Sequence, residues 1–367
     1  MPDYVPAAIT IKDLRRYAVA RSLFAPTTLR RAIDRLGFIQ ADPIRAPARA
    51  QDLILRHRVK NYRVGDLERR YPNLPVEEDF FVNYGFLPRR HQVLMHPRAP
   101  RTALKASTIE RAQAVLAYVR ERGAVHPRQV DQHFAHGKVI NDWGGSSNAT
   151  THLLDDMHYR GLLRVLRRDG GVRIYAAHEH APVPLDATER RRRVDALVDV
   201  IVGVYAPLPA GSLGALIKRL RYGAPQLSGE LDRALLRAKR RLANARIDGV
   251  DWYWPEGELP GSSLHESNDQ VRLLAPFDPI VWDRSRFELL WGWTYRLEAY
   301  TPTPKRKFGY YALPVLWHDN VIGWANLTAK GAMLSSEFGY PARVTRTAGF
   351  RRDLDTELER MRVFLRL

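Results

Sequence analysis

Cysteine is absent from the 367-residue chain, which excludes disulfides, iron–sulfur clusters, thiol nucleophiles and cysteine-ligated zinc. There is no apolar run of about 18 residues, no N-terminal apolar leader and no cysteine placed for lipidation. A soluble, intracellular chain is therefore expected. No GxGxxG after a strand, GxxxxGK[ST] loop, GxSxG elbow or HExxH helix occurs, which removes the nucleotide-fold, hydrolase-elbow and zinc-peptidase classes. Acidic residues are in the minority, 40 Asp+Glu against 58 Lys+Arg, for a formal charge of +18. That excess favours a polyanionic partner, because each phosphate neutralised releases condensed counterions. Hydrophobic residues at 45% supply a sizeable core, and the length suits several modules.

Periodicity organises the chain into four segments, 1–104, 105–184, 185–260 and 261–367. In the first, Leu29, Ile33 and Leu36 share a helical face and Gly37 sits where that helix would stop. Pro43 then biases Asp42 away from the α region, so residues 38–43 read as extended. In the second, an amphipathic helix over 109–122 ends at Gly123, and a shorter helix begins at His126-Pro127. A polar loop over 144–148 precedes a third helix over 150–160. Two strand-like runs around Asp169-Gly170-Gly171 complete the segment. Three helices and a hairpin form the element order of a winged helix. The order partly recurs in 185–260, which suggests tandem modules. From about Val271 the pattern changes to strands, including 295–300 and a hairpin about His318-Asp319-Asn320, and a helix over 354–365 closes the chain. The expected fold class is α+β, with tandem winged helix-turn-helix domains followed by a β-barrel-like domain.

Three groups of residues bear on chemistry. In an extended segment Gln40 and Asp42 point to one side. A carboxylate there can stabilise a positively charged sugar or activate water, while an amide orients water and sugar oxygens. The bland alternative makes Asp42 a turn-former ahead of Pro43. The second group is basic. Arg164, Arg167 and Arg168 lie on the hairpin, Arg45 and Arg49 follow the Gln-x-Asp segment, and Lys305, Arg306 and Lys307 lie among prolines and aromatics. These suit phosphate contacts and stacking, or equally a folded core with proline-fixed turns. The third is His178-Glu179-His180, read as a solvated strand or loop rather than a metal site.

Two stretches carry a family resemblance. Leu36-Gly37-Phe38-Ile39-Gln40-Ala41-Asp42 resembles an LG-x-x-Q-x-D segment. Residues 274–284 and 295–311 resemble a C-terminal signature, SPFDPLVWDR followed by YRLE-x-Y-x-P-x-PKR-x-YGYY. Both belong to the YcaQ-type (AlkZ-related) DNA glycosylases. The resemblance implies tandem winged helices with a β-barrel-like domain, and metal-free, cofactor-free hydrolysis of N7-alkylated purines from double-stranded DNA. It also implies unhooking of interstrand crosslinks, with Gln40 and Asp42 as the catalytic pair. A monomer acting in the cytoplasm on nucleoid DNA is expected. The chain departs from the family pattern at Val82, where a histidine is usual, and at Asn326 and Thr328. The rival classes are a non-enzymatic winged-helix regulator, which would dimerise on a palindromic site, and an RNA-binding protein.

Overall fold

Thr10 opens the first helix, Ile11–Ser22, with a capping box: its hydroxyl accepts from the Asp13 N–H, and the Asp13 carboxylate accepts from the Thr10 N–H at 2.9 Å. Thr28 caps the second helix, Leu29–Leu36, more simply: its hydroxyl accepts from the Arg31 N–H at 3.4 Å, with no reciprocal bond from the side chain of Arg31. Leu29, Ile33 and Leu36 are buried along one face as their spacing requires, and Gly37 ends the helix at a φ of +74°. The structure, a computed structural model, describes residues 8–99, 103, 105–135, 137–140, 146–180, 185–265, 270–341 and 347–367. The chain forms two compact units: residues 1–67, 198–217 and 235–367 make one, and residues 68–197 and 218–234 make the other.

The first unit is organised about a buried ion pair. Arg58 donates to both Asp278 oxygens at 2.8 and 2.9 Å, with both side chains fully inaccessible, and also to the carbonyls of Ser22 and Ile54. Four of the five N–H donors of that guanidinium are thereby filled, and the carboxylate supplies the counter-charge that a buried cation requires. A four-stranded antiparallel sheet follows in the order Val271–Leu273, Leu313–Trp317, Asn320–Lys330, Met333–Gly339. It curls into a half-barrel. The closing helix, Ala348–Leu365, is anchored to its first strand: Glu357 accepts from the Leu273 N–H at 2.9 Å, and Arg360 donates to the Val271 carbonyl at 2.9 Å. A smaller sheet in this unit orders Leu208–Pro209, Val250–Trp254 and Ala243–Ile247.

The expectation that strands dominate from Val271 onward needs correcting. Residues 274–312 contain no strand; they hold the helix Arg284–Trp291 and irregular chain, and 295–300 is not a strand. Asp283 caps that helix, its side chain accepting from the Arg286 N–H at 3.0 Å. Pro276, Pro279, Pro302 and Pro304 each remove a ladder donor from this stretch. Its aromatics bury by ring packing instead of strand pairing. Trp293 lies 6.2 Å from Phe308 and 6.1 Å from Trp324, and Phe308 meets Trp324 edge-on at 4.9 Å.

In the second unit the helices Ala106–Arg122, Pro127–Phe134 and Ala149–Tyr159 precede the hairpin Leu163–Asp169/Val172–Ala177. That is the helix–helix–helix–hairpin order read from the sequence, with a short ladder, Lys138–Ile140 on Ser146–Asn148, between the second and third helices. Part of the polar loop read over 144–148 lies outside the described residues. Gly170 and Gly171, at φ +59° and +89°, make the two-residue turn. Beside the hairpin Val76–Phe80/Tyr84–Pro88 the consecutive acids Glu77, Glu78 and Asp79 are all buried, and arginines and a histidine compensate each. Glu77 takes Arg89 at 2.9 Å and Arg164 at 2.8 Å, Glu78 takes Arg168, and Asp79 takes Arg98 and His96 at 2.7 Å each.

Candidate active site

The Gln-x-Asp segment leaves the second helix at Gly37 and runs past Phe38 and Ile39, each only 1% exposed. These two apolar anchors fix the path of the backbone, and Ile39–Gln40 is a short strand. Gln40, Ala41 and Asp42 are half-buried. The backbone N–H of Asp42 donates to Gln51 Oε1 at 3.3 Å, and the Asp42 Oδ1 accepts from the Ile44 N–H at 2.9 Å. This is the turn chemistry expected of an aspartate ahead of proline. It does not exhaust the carboxylate: Oδ2 accepts no hydrogen bond from any described residue. Burial raises the Asp42 pKa above the ordinary carboxylate value, and the Ile44 N–H partly offsets that rise. The turn and the ligand-addressing readings of Asp42 are thus compatible, one oxygen serving each.

Two further residues bear on Asp42, one through its backbone and one through its charge. Gln51, 2% exposed inside the helix Ala50–Leu55, holds the Asp42 backbone. Tyr311 is 3% exposed, and its hydroxyl is buried without a hydrogen-bond partner among the described residues. Burial, then the negative charge of Asp42, pushes the Tyr311 hydroxyl well above its usual pKa. The unsatisfied hydroxyl is therefore within electrostatic reach of the carboxylate. A buried polar residue in a short helix is the only signal Gln51 offered, and Tyr311 was legible only as one of several aromatics.

The remaining members of the C-terminal signature divide by burial. Asp278 pairs with Arg58. Arg284 donates to the carbonyls of Val281 and Pro276 and lies 4.5 Å over the Tyr295 ring. Tyr295 donates to the Ala312 carbonyl at 2.6 Å. All are structural. Asn326 donates to the Phe308 carbonyl at 2.7 Å, and a Cβ on Gly309 would stand 2.3 Å from its side chain. Asn326 therefore holds the Phe308-Gly309 turn, where Gly309 takes a φ of +114°. Val82 is fully buried in the other unit, where its carbonyl accepts from Arg219.

The basic residues fall into two groups. Lys305 and Lys307 are exposed, Arg306 is half-buried with its Nε on the Thr301 carbonyl at 2.8 Å, and Tyr300 and Tyr310 stand exposed among them. Arg45 is exposed and Arg49 half-buried. On the hairpin of the other unit, Arg167 is exposed and paired only with exposed Asp169. Arg164 and Arg168 instead commit their guanidinium groups to Glu77 and Glu78. Arg164 and Arg168 are thus alike, Arg167 differs from them in its exposure, and Arg173, the fourth arginine of the hairpin, pairs with Asp155 at 2.6 Å.

Among the described residues no group of three His, Cys, Asp or Glu could hold a metal ion. His178 and His180 do come together with His96, but His96 and His180 stack with rings parallel to 3° at 4.3 Å. Lone pairs confined to two parallel planes cannot converge on one ion.

A family model described as DNA glycosylase AlkZ-like matches residues 33–364. Among solved structures, the chain is similar to the Streptomyces sahachiroi DNA glycosylase AlkZ, with a TM-score of 0.61 at 13% identity, over 97% of this chain and 96% of that one. At that identity the likeness is one of fold. No described helix is long and apolar enough to cross a membrane.

Proposed function

The chain belongs to the AlkZ-like DNA glycosylase family, and from that premise we propose that it hydrolyses the N-glycosidic bond of N7-alkylated purines in double-stranded DNA, with Asp42 and Gln40 as the catalytic pair. The observation that carries the assignment is the state of Asp42: a half-buried carboxylate with one oxygen fixed by the Ile44 N–H and the other unengaged by any described residue. A fixed negative charge outside bulk water is worth more than the same charge in water, and it costs no reorganisation as the sugar becomes positive. An N7-alkylated purine is already cationic and departs with the electron pair of the C1′–N9 bond, so no strong general acid is required. Water then adds to C1′, and its proton passes to Asp42, while Gln40 orients the water and the sugar oxygens. Water rather than an amine is the nucleophile, which makes the enzyme monofunctional and leaves the strand uncut. The same step at a crosslinked purine would unhook the two strands.

In this reading residues 105–184 form a winged helix, 185–260 a second module of that type and 1–104 an N-terminal one, with the half-barrel in 261–367. The protein acts as a monomer on nucleoid DNA. Arg45, Arg49, Arg167 and the Lys305–Lys307 segment hold phosphates; Arg164 and Arg168 support the hairpin from within. The test is incubation of the protein with duplexes carrying N7-methylguanine or a nitrogen-mustard crosslink, followed by detection of abasic sites. Excision from the monoadduct duplex by wild type, at a rate orders of magnitude above that of Asp42→Asn, is the expected result. A wild-type protein that binds both duplexes and releases base from neither would overturn the substrate assignment.

A further inference from the structure

In the first unit a cavity of about 940 Å³ opens beside the closing helix, away from the Gln-x-Asp segment. Its inner wall gathers three arginines, Arg56, Arg272 and Arg360, around a single carboxylate, Glu357. That carboxylate is saturated: Glu357 accepts from the Leu273 N–H, Arg56 and Arg360, and is itself fully buried. Two arginines have thus found a partner and the third has not. Arg272 makes no hydrogen bond or ion pair with any described residue, although its strand neighbours Val271 and Leu273 are fully buried. Burial first, and then repulsion from Arg58, Arg360 and Arg56 against the pull of Glu357, lowers its pKa to about 10. It therefore stays charged at neutral pH. Arg56, whose side chain is 4% exposed, adds a buried Nε–H that no group accepts.

The neighbouring histidine does not change the balance. His57 Nε2 donates to the Leu273 carbonyl at 2.9 Å, and burial, then Arg56 and Arg272, drive its pKa well below 6.5, so it is neutral. Half-buried Arg63 and the exposed carboxylates Asp355 and Glu359 also line the cavity. Leaving a half-buried cation uncompensated costs stability, and an anion with several acceptor oxygens supplies both the missing charge and the acceptors. Leu23, Pro26, Val59 and Phe364 give the wall an apolar part, and Asn61, Gln270 and Thr356 add uncharged polar groups. A bare anion would leave that surface and most of the volume unused, and the volume lies in the range that small-molecule sites occupy.

We propose that this cavity is a second ligand site, which binds a phosphate carried on an organic body of nucleotide size. Arg272 takes the phosphate oxygens, and the apolar part of the wall covers the body. Two sources can supply such a group: a free nucleotide, or a nucleotide of the DNA strand. The site does not depend on the catalytic assignment of Asp42, and its readout is binding rather than base release.

The experiment is calorimetric titration of the full chain with deoxyadenosine monophosphate, with inorganic phosphate and with a short undamaged duplex, for wild type, Arg272→Gln and Arg272→Glu. Thermal unfolding of each unliganded protein is measured in parallel. Removing an unpaired cation should leave the unliganded Tm unchanged or raise it, so weakened binding is not a folding defect. With a free nucleotide as ligand, the monophosphate binds wild type more tightly than inorganic phosphate does. Arg272→Gln then weakens it at least about tenfold, a loss of about 1.4 kcal/mol, and Arg272→Glu abolishes it. With a strand phosphate as ligand, the monophosphate does not bind, and Arg272→Gln instead weakens the duplex and reduces its salt slope by about one. Affinities for all three that are indifferent to both substitutions would overturn the proposal.

Discussion

Arg58 and Asp278, 220 residues apart, form a bidentate pair at 2.8 and 2.9 Å with neither side chain accessible to solvent. The pair joins the first helices of the first unit to the start of its C-terminal region. Its net contribution to stability is small, because desolvation of two charges offsets their attraction. Breaking it by half is another matter. Asp278→Ala leaves a guanidinium in the core with two carbonyl acceptors and no counter-charge, and should cost about 3–5 kcal/mol. Urea unfolding of Asp278→Ala and of the double variant Arg58→Met/Asp278→Leu measures this. The double variant should be the more stable of the two, and the opposite order would show that the pair itself supplies the stability.

The hairpin arginines divide by their partners, not by their sequence. Arg168 faces Glu78, a carboxylate fully removed from water, and Arg173 at 3.5 Å is the only other cation on it. Arg168→Ala should therefore lower the midpoint of thermal unfolding while acting on DNA only through the fold. Arg167 pairs with Asp169 at 3.1 Å, both half-exposed, and such surface pairs contribute little. Arg167→Ala should leave Tm unchanged, weaken binding about equally across sequences and reduce the salt slope by about one. The check is a salt series of duplex affinities for both variants beside their melting curves. Sequence-dependent loss with Arg167→Ala would instead indicate base reading.

That division marks the boundary of what the sequence made legible. Short-range signals survived: the Leu29, Ile33, Leu36 face ended by Gly37, and the Gly170-Gly171 turn with strands on either side, both follow from local backbone preference. Contacts between distant segments did not. Nothing near Arg164 and Arg168 announces that Glu77 and Glu78 will meet them some ninety positions away. The helix Arg284–Trp291 was missed for a related reason. Its aromatic-rich surroundings read as strand by propensity, while the structure satisfies Phe287, Trp293 and Tyr295 through ring packing. At the candidate site the Gln40 and Asp42 spacing was visible, but the burial of the Tyr311 hydroxyl, and the effect of the Asp42 charge on it, depend on tertiary packing.

Histidine should govern stability in mild acid. Burial first lowers the pKa values of His96 and His178 to about 4, against the favourable effect of Asp79. The groups facing them are Asp79, Arg98, Arg164 and His180. In the unfolded chain these imidazoles titrate near 6.5. Between 6.5 and 4 the unfolded state therefore binds protons that the native state does not, and stability is lost as the pH falls through that window. Above 6.5 the term is absent. Each histidine contributes a slope of at most about 1.4 kcal/mol per pH unit. Urea denaturation between pH 7.5 and 5 should show the decline, and His178→Gln should make it shallower. A stability that is flat across this range would contradict the neutral, stacked arrangement.

The last prediction concerns Asp42 in the proposed reaction. Excision requires its carboxylate to be ionised, whether it stabilises the sugar cation or accepts a proton from water. Burial raises its pKa above 3.8 while the Ile44 N–H acts in the opposite direction. The single-turnover rate on an N7-methylguanine duplex should therefore be constant near neutral pH and fall as the pH drops through that raised pKa. Asp42→Asn keeps the shape, and its side-chain carbonyl can still accept the Ile44 N–H, but it carries no charge. Its rate should be lower by orders of magnitude and lack the acid limb. Gln40→Ala should lower the rate less, because water can replace an amide, and should retain the limb unchanged. Duplex affinity should survive both substitutions, and Asp42→Asn should tighten it slightly by removing a negative charge near phosphate. An acid limb that persists in Asp42→Asn would assign the ionisation to another group. If excision also equals that of wild type, Asp42 is only the turn residue that its hydrogen bond to Ile44 already makes it.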